Sequence, residues 1–297
     1  MVELTQHFSD ANLDSLSVQL TDYGILSVSG ADADSFLQGQ LTCDLRKLDQ
    51  NNWLYGAHCD QTGKAFSVFW LCREADAVLL IMHRSTIEGS LAQLKKYGVF
   101  SKITAEDVSD DWNIAGVFGN KAASVASEFD GRVIQVGTSP DQYLLLSQQP
   151  ISTDYSQPYW DALEIERVRP QLTSENSQAF VPQMMNLQAW DGISFDKGCY
   201  IGQETIARMK YLGKQKRALF RLSGKVTAQV TPGVQLEKAI GDNWRRAGTV
   251  IMAVNRTDTH VDLLAVLPSD IDADTAIRVR DDDASLLEIH SLPYQLG

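Results

Sequence analysis

Trp53-Leu54-Tyr55-Gly56-Ala57-His58, the run Ala65 to Cys72, and Val78-Leu79-Leu80-Ile81-Met82 are three apolar stretches separated by turn chemistry. The gaps are Asp60-Gln61-Thr62-Gly63-Lys64 and Glu74-Ala75-Asp76. Short runs rich in branched and aromatic side chains, bounded by Gly and Asp clusters, read as strands. Three in succession predict an antiparallel meander. Downstream, Ser85 with Glu88 has the capping-box spacing for a helix carrying Ile87, Leu91 and Leu94, which Gly98 can end. Val99 to Ile103 is then expected as a strand returning beside the meander. Upstream, residues 25–30 read as a strand, and 32–45 as a helix with Phe36, Leu37, Gln40 and Leu41 on one face.

The same alternation recurs further on. A strand is expected over 113–118, a helix over 121–129, and strands near Val133 and Tyr143. Strands and helices in this order imply an α+β fold, sheets covered by helices. After Gly213 the character changes. Ala218 to Leu222, Gly248 to Val254 and Val261 to Val266 are β-rich and separated by Gly, Asp and Pro turns, which predicts a small C-terminal β-barrel.

At 297 residues two or three domains are expected. No apolar run reaches the roughly 18 residues of a transmembrane helix. The start, Met1-Val2-Glu3-Leu4-Thr5, has neither the basic nor the apolar region of a secretory signal, so a cytoplasmic protein without membrane contact is expected. Cys43, Cys59, Cys72 and Cys199 form no Cys-x-x-Cys pair and suit a reducing compartment. The five histidines lack zinc-site spacings, so no built-in metal is expected. A net charge of −12 argues against a broad nucleic-acid surface. P-loop, dinucleotide-binding, serine-hydrolase and zinc-protease signatures are missing.

One octapeptide concentrates chemistry: Lys197-Gly198-Cys199-Tyr200-Ile201-Gly202-Gln203-Glu204. A lysine near a cysteine favours the thiolate, the reactive species. Residues 196–221 hold Lys197, Arg208, Lys210, Lys214, Lys216, Arg217 and Arg221 against Asp196 and Glu204, the only strongly cationic stretch of the chain. Local chemistry leaves Cys199 open between an inert structural thiol and a functional one. Trp160, just after Pro158, is open between a core residue and a platform for a heteroaromatic ring. Glu166 is either a solvated helix face or a carboxylate accepting two hydrogen bonds from a ring. Asn243-Trp244-Arg245-Arg246 reads as a hairpin with a Trp anchor, or as a partner surface.

Several motifs together resemble the YgfZ family: Phe36 to Asp44 (FLQGQLTCD), Phe180-Val181-Pro182-Gln183, Asn186-Leu187-Gln188, Gly192-Ile193-Ser194-Phe195 and the octapeptide, followed by Asn243-Trp244-Arg245-Arg246 and Leu292-Pro293-Tyr294. The resemblance spans nearly the whole chain. It implies a folate-binding, tRNA-modifying protein of bacteria, related to the aminomethyltransferase (T-protein) of glycine cleavage. That kinship implies two mixed, ferredoxin-like α/β lobes and a C-terminal barrel arranged as a ring. Residues 1–212 would form the bilobal folate-binding region, with 1–50 and 110–212 as one lobe and 51–109 as the other. Residues 213–297 would form the barrel.

By position in the family, Tyr23 and Trp160 are implied as the aromatic contacts of a tetrahydrofolate or other reduced folate, including a polyglutamate. Glu166 is implied to read the pterin and Arg217 to meet the glutamate tail. Cys199 is implied as the functional thiol, activated by Lys197, within the motif Gly198, Tyr200, Gly202, Gln203, Glu204 and Arg208. T-protein places its catalytic acid in an Asp-Asp pair after a Gly turn; the matching run Gly63-Lys64-Ala65-Phe66-Ser67-Val68 has Ser67 and Val68 there, so aminomethyl transfer is not expected. The implied role is accessory support of iron–sulfur enzymes, including those that thiolate tRNA. The alternatives are a folate-dependent one-carbon transferase using Cys199 as nucleophile, and a folate-independent scaffold for client enzymes.

Overall fold

The computed structural model describes residue 4, residue 8, and residues 13–138, 140–213 and 215–296; Lys214 of the cationic stretch and most of the N-terminal segment lie outside the described residues. In chain order, β1 is Leu16–Gln19, β2 Tyr23–Ser29, α1 Ala33–Gln38, α2 Leu48–Asn51, β3 Trp53–Cys59, β4 Ala65–Glu74 and β5 Ala77–His83. Then follow α3 (Ile87–Tyr97), β6 (Thr104–Asp107), β7 (Asn113–Phe118), α4 (Ala122–Ser127), β8 (Arg132–Thr138), β9 (Asp141–Ser147), α5 (Pro158–Glu166) and α6 (Gln203–Tyr211). The last six strands are β10 (Arg217–Lys225), β11 (Gln235–Ile240), β12 (Asn243–Thr257), β13 (His260–Pro268), β14 (Ile277–Val279) and β15 (Leu286–Ile289).

The meander forms where its three apolar runs stand. β3 pairs with β4 in the register Tyr55↔Trp70, and β4 with β5 in the register Trp70↔Ile81. The first turn is closed by the Asp60 carboxylate, which accepts from the backbone of Thr62 and Lys64, with Gly63 at φ 81°. Residues 65–72 of β4 are all buried because the sheet is covered on both sides. Leu54, Phe69, Leu71 and Leu80 face the helical layer of α1 and α3. Their neighbours Tyr55, Trp70, Cys72 and Ile81 face the centre of the molecule. Sheets buried on both faces lose the apolar–polar alternation of half-exposed ones, and so read as continuous apolar runs.

Two sheets build the lobes. One has the order β3-β4-β5-β2-β6 and the other β1-β7-β9-β8. Their membership corrects the expected lobe boundaries: β2 lies antiparallel between β5 and β6, so residues 23–50 belong with the meander, and of this N-terminal part β1 joins the other sheet, against β7. The returning strand also moves, from 99–103 to β6. Val99 and Phe100 are exposed at the turn after α3 instead. Ser85 does not cap α3; its N–H goes to His83 Nδ1 and the helix starts after Thr86. The helix expected over 32–45 ends at Gln38. The Thr42 hydroxyl donates to the Gly192 carbonyl and accepts from Ala57 N–H, and Asp44 caps a short 3₁₀ turn, so side chains take this backbone out of helix.

The barrel closes in the order β10-β13-β12-β11-β14-β15. Leu222, Val250, Leu263, Ala265 and Leu287 fill its interior. Leu219, Ile251, Leu264 and Val266 point outward into the same cluster as Trp70 and Trp160, which docks the barrel on the lobes. Among the described residues no helix is long and apolar enough to cross a membrane.

Candidate functional site

Two places bring together the candidate groups. The first is the octapeptide, where an exposed tip hangs between buried anchors. The Lys197 ammonium donates to the carbonyls of Leu41 (2.8 Å) and Cys43 (2.7 Å) and lies 5.0 Å over the Tyr200 ring. Burial pulls its pKa down to about 8. Tyr200 is buried, its N–H faces Gln203 Oε1, and Ile201 N–H donates to the Gly39 carbonyl. Between these anchors Gly198 and Cys199 are exposed.

This arrangement corrects the expected partnership of Lys197 with Cys199. The ammonium turns inward to two backbone carbonyls, where it replaces the water those groups lose on burial. The glycines divide in the same way. Gly202 begins α6 at φ 82°, and a Cβ there would stand 2.5 Å from the Asp60 carbonyl, against the Gly63 turn. A Cβ at Gly198 would meet nothing within 4 Å. Glu204 and Arg208 are exposed on α6. Cys43, Cys59 and Cys72 are buried, which pushes all three thiols up, Cys43 to about 12 and Cys72 to about 11.

The other motifs converge on this loop. Ser194 N–H donates to Thr42, Gln183 Nε2 to the Ile206 carbonyl of α6, and Asn186 exchanges two hydrogen bonds with Leu219 of the barrel. Four separated motifs thus tie the meander lobe, α6 and the barrel to one another around the loop that carries the exposed thiol.

The second place is a cavity of about 500 Å³ at the junction of the meander lobe, α5 and the barrel. Tyr23 and His83 come from the ends of β2 and β5, Gln157 and Asp161 from α5, Gln171 from the segment after it, and Ile251 and Met252 from β12. Burial raises Tyr23 well above the ordinary tyrosine range and pushes the Asp161 carboxyl up to about 8, so Asp161 is mostly protonated at neutral pH. Gln171 is 2% exposed, and neither its amide nitrogen nor its amide oxygen has a hydrogen-bond partner among the described residues. A second cavity of about 560 Å³ adjoins the first across Glu175, with Arg217, Arg246, Gln235 and Phe180 in its walls. Arg217 donates to the Ala247 carbonyl, and burial followed by the Arg246 charge lowers its pKa.

The expected aromatic pair is split. Tyr23 lines the first cavity, whereas Trp160 is fully buried behind it. Trp70 stands between them, 5.8 Å from Tyr23 and 6.4 Å from Trp160 between ring centroids. Trp160 also packs on Phe118 and over Gly116, where its ring takes the space of a Cβ. Glu166, expected to read a ring, is buried with other partners. Its oxygens accept from the Phe8 N–H (2.8 Å) and from Arg256 (2.9 Å), on the side of α5 away from the cavity lining. Ser67 is buried against Ser90 (2.8 Å) and Val68 is core, so no carboxylate stands at those two positions. Asp161 and Gln171 escaped sequence reading because they come from separate segments without a shared motif.

The sequence profile described as "YgfZ, beta-barrel domain" matches residues 215–282. The chain is 38% identical to the tRNA-modifying protein YgfZ of Colwellia psychrerythraea, over 94% of this chain and 93% of that relative. It is 39% identical to the tRNA-modifying protein YgfZ of Sodalis glossinidius, again over 94% of this chain and 93% of the relative. The chain belongs to the YgfZ family. Among solved structures it is similar to the glycine cleavage system aminomethyltransferase T from Bartonella henselae, with a TM-score of 0.64 over 98% of this chain and 88% of that one. At 14% identity this likeness concerns the fold: two α+β lobes and a barrel are the shared architecture of this YgfZ-family chain and an aminomethyltransferase.

Proposed function

We propose that this protein binds a reduced folate and acts as an accessory factor for iron–sulfur enzymes, thereby supporting tRNA modification, without aminomethyltransferase activity. The observation that carries the reading is the pair of adjoining cavities. The first has an aromatic wall at Tyr23 and hydrogen-bonding groups at Gln157, Asp161 and Gln171 for the polar edge of a ring. The second offers Arg217 and Arg246 to an anionic tail. Together they have the size and polarity order of a pteridine linked to a glutamate or polyglutamate chain. Trp160 supports the site from behind through Trp70, and Cys199 acts from its exposed loop on a client outside the cavity. The net charge of −12 favours a protein client over direct tRNA binding. With Ser67 and Val68 buried, T-protein chemistry has no acid at its expected place.

Calorimetry with tetrahydrofolate tests the binding step. Saturable binding is expected, weakened by Arg217→Ala; no heat at near-millimolar ligand would overturn it. Complementation of a strain lacking its own copy tests the role. Thiolated tRNA nucleosides and iron–sulfur enzyme activity should return with wild type and stay low with Cys199→Ala. Glycine cleavage by the purified protein with lipoylated carrier would contradict the negative part.

A further inference from the structure

We propose that Gln171 is the residue that reads the polar edge of the ring in the first cavity, a task the family relation assigns to Glu166. This rests on the folate reading above. Glu166 already holds the Phe8 N–H and Arg256, so its carboxylate faces protein partners. Gln171 is the reverse case. It lines the cavity, is 2% exposed, and both polar atoms of its carboxamide lack protein partners among the described residues. Leaving such a donor and acceptor unpaired in the interior is costly, so a folded protein keeps them only for a reason. A primary carboxamide presents N–H and C=O side by side. Its complement is a ring edge with an adjacent acceptor and donor, which is the lactam edge of a 2-amino-4-oxo heterocycle.

The backbone holds Gln171 ready for that role. Its own N–H points to Met252 Sδ (3.1 Å) of the barrel, while the preceding Pro170 carbonyl accepts from the Tyr55 hydroxyl. One residue further back, the Arg169 guanidinium donates to Glu164 Oε1 (2.6 Å) and lies 5.3 Å from the Trp70 ring and 5.0 Å from the Trp190 ring. These anchors fix the backbone up to Gln171, so little backbone entropy is left to lose on binding. Asp161 lines the same cavity and, being protonated, supplies a further donor.

Binding of two probes tests this: tetrahydrofolate, and p-aminobenzoyl-glutamate, which has the tail but no pteridine. Gln171→Leu should weaken tetrahydrofolate about 10-fold or more, because a site built to pair a polar edge loses that pairing. The same variant should leave p-aminobenzoyl-glutamate binding unchanged. Without ligand its melting temperature should hold or rise, since an unpaired amide is replaced by an apolar group. Gln171→Met, of equal length, serves if the leucine variant does not fold. Tetrahydrofolate affinity within twofold of wild type would overturn the assignment of Gln171 and leave the folate reading standing, as would equal losses for both probes. Wild-type protein that binds neither probe would overturn the folate reading itself, and the assignment with it.

Discussion

The thiol loop and the central cavity are built in opposite ways. The loop is eight consecutive residues in which the buried Lys197 and Tyr200 flank an exposed Gly198-Cys199 tip. Its anchors are mostly backbone: the Lys197 ammonium on two carbonyls, Ile201 N–H on a third, and Gly202 pressed against Asp60. The cavity collects single side chains from β2, β5, α5, the segment after it, and the barrel. A loop held by backbone tolerates change at its tip and none at its anchors. A cavity assembled from distant segments depends on the packing of everything behind it.

The largest expected effect lies behind the cavity. Trp160→Ala empties a fully buried aromatic box between Trp70 and Phe118, and should cost about 3–5 kcal/mol in urea unfolding. Trp160→Phe should recover a large part of that stability, and with it folate binding. A stable Trp160→Ala protein that has lost binding would instead make Trp160 a direct ligand contact and break the distinction drawn here.

Next comes acid sensitivity beneath the loop. His58 sits on β3, bridged to Leu41, with both ring nitrogens unpartnered among the described residues and Phe66 5.5 Å away. Burial drops its pKa to about 4 from 6.5. Between those values the unfolded chain takes up a proton that the folded chain refuses, so stability falls as pH falls. The full loss is about 3 kcal/mol, complete once pH is below the folded value. Comparing chemical denaturation of wild type and His58→Leu across pH 7 to pH 4 isolates this group. Parallel pH profiles would refute it.

A smaller effect separates the two glycines of the loop. Gly202→Ala should cost about 1–3 kcal/mol, from its left-handed backbone and the Asp60 carbonyl. Gly198→Ala should stay within about 0.5 kcal/mol, as surface changes do. Equal losses at the two positions would show that the loop is not anchored as described. The smallest stability change is expected at the thiol: Cys199→Ala should unfold within about 0.5 kcal/mol of wild type while failing to complement. Full complementation would make the loop's backbone, not its sulfur, the functional part.

Much of this fold was legible because local chemistry and tertiary structure agree. The meander, its Asp60–Lys64 turn, the helix after Ser85 and the β-rich C-terminal region all follow from apolar runs and turn residues. Local chemistry left Cys199 open between an inert and a functional thiol, and the folded chain places it on the surface. Side-chain partnerships across the chain were not legible. Lys197 stands two residues from Cys199, yet its ammonium crosses to Leu41 and Cys43. The family relation groups residues 1–50 with 110–212, but β2 pairs with β5 and β6. Trp160 and Glu166 have the chemistry of ligand residues, and packing gives both of them protein neighbours. Gln171 carries no local signal at all. Sequence determines which groups can donate, accept, stack or turn the chain, since these are properties of single residues and their immediate neighbours. Which of those groups are buried without a partner, and so remain available to a ligand, is decided only when distant segments close around them and exclude water.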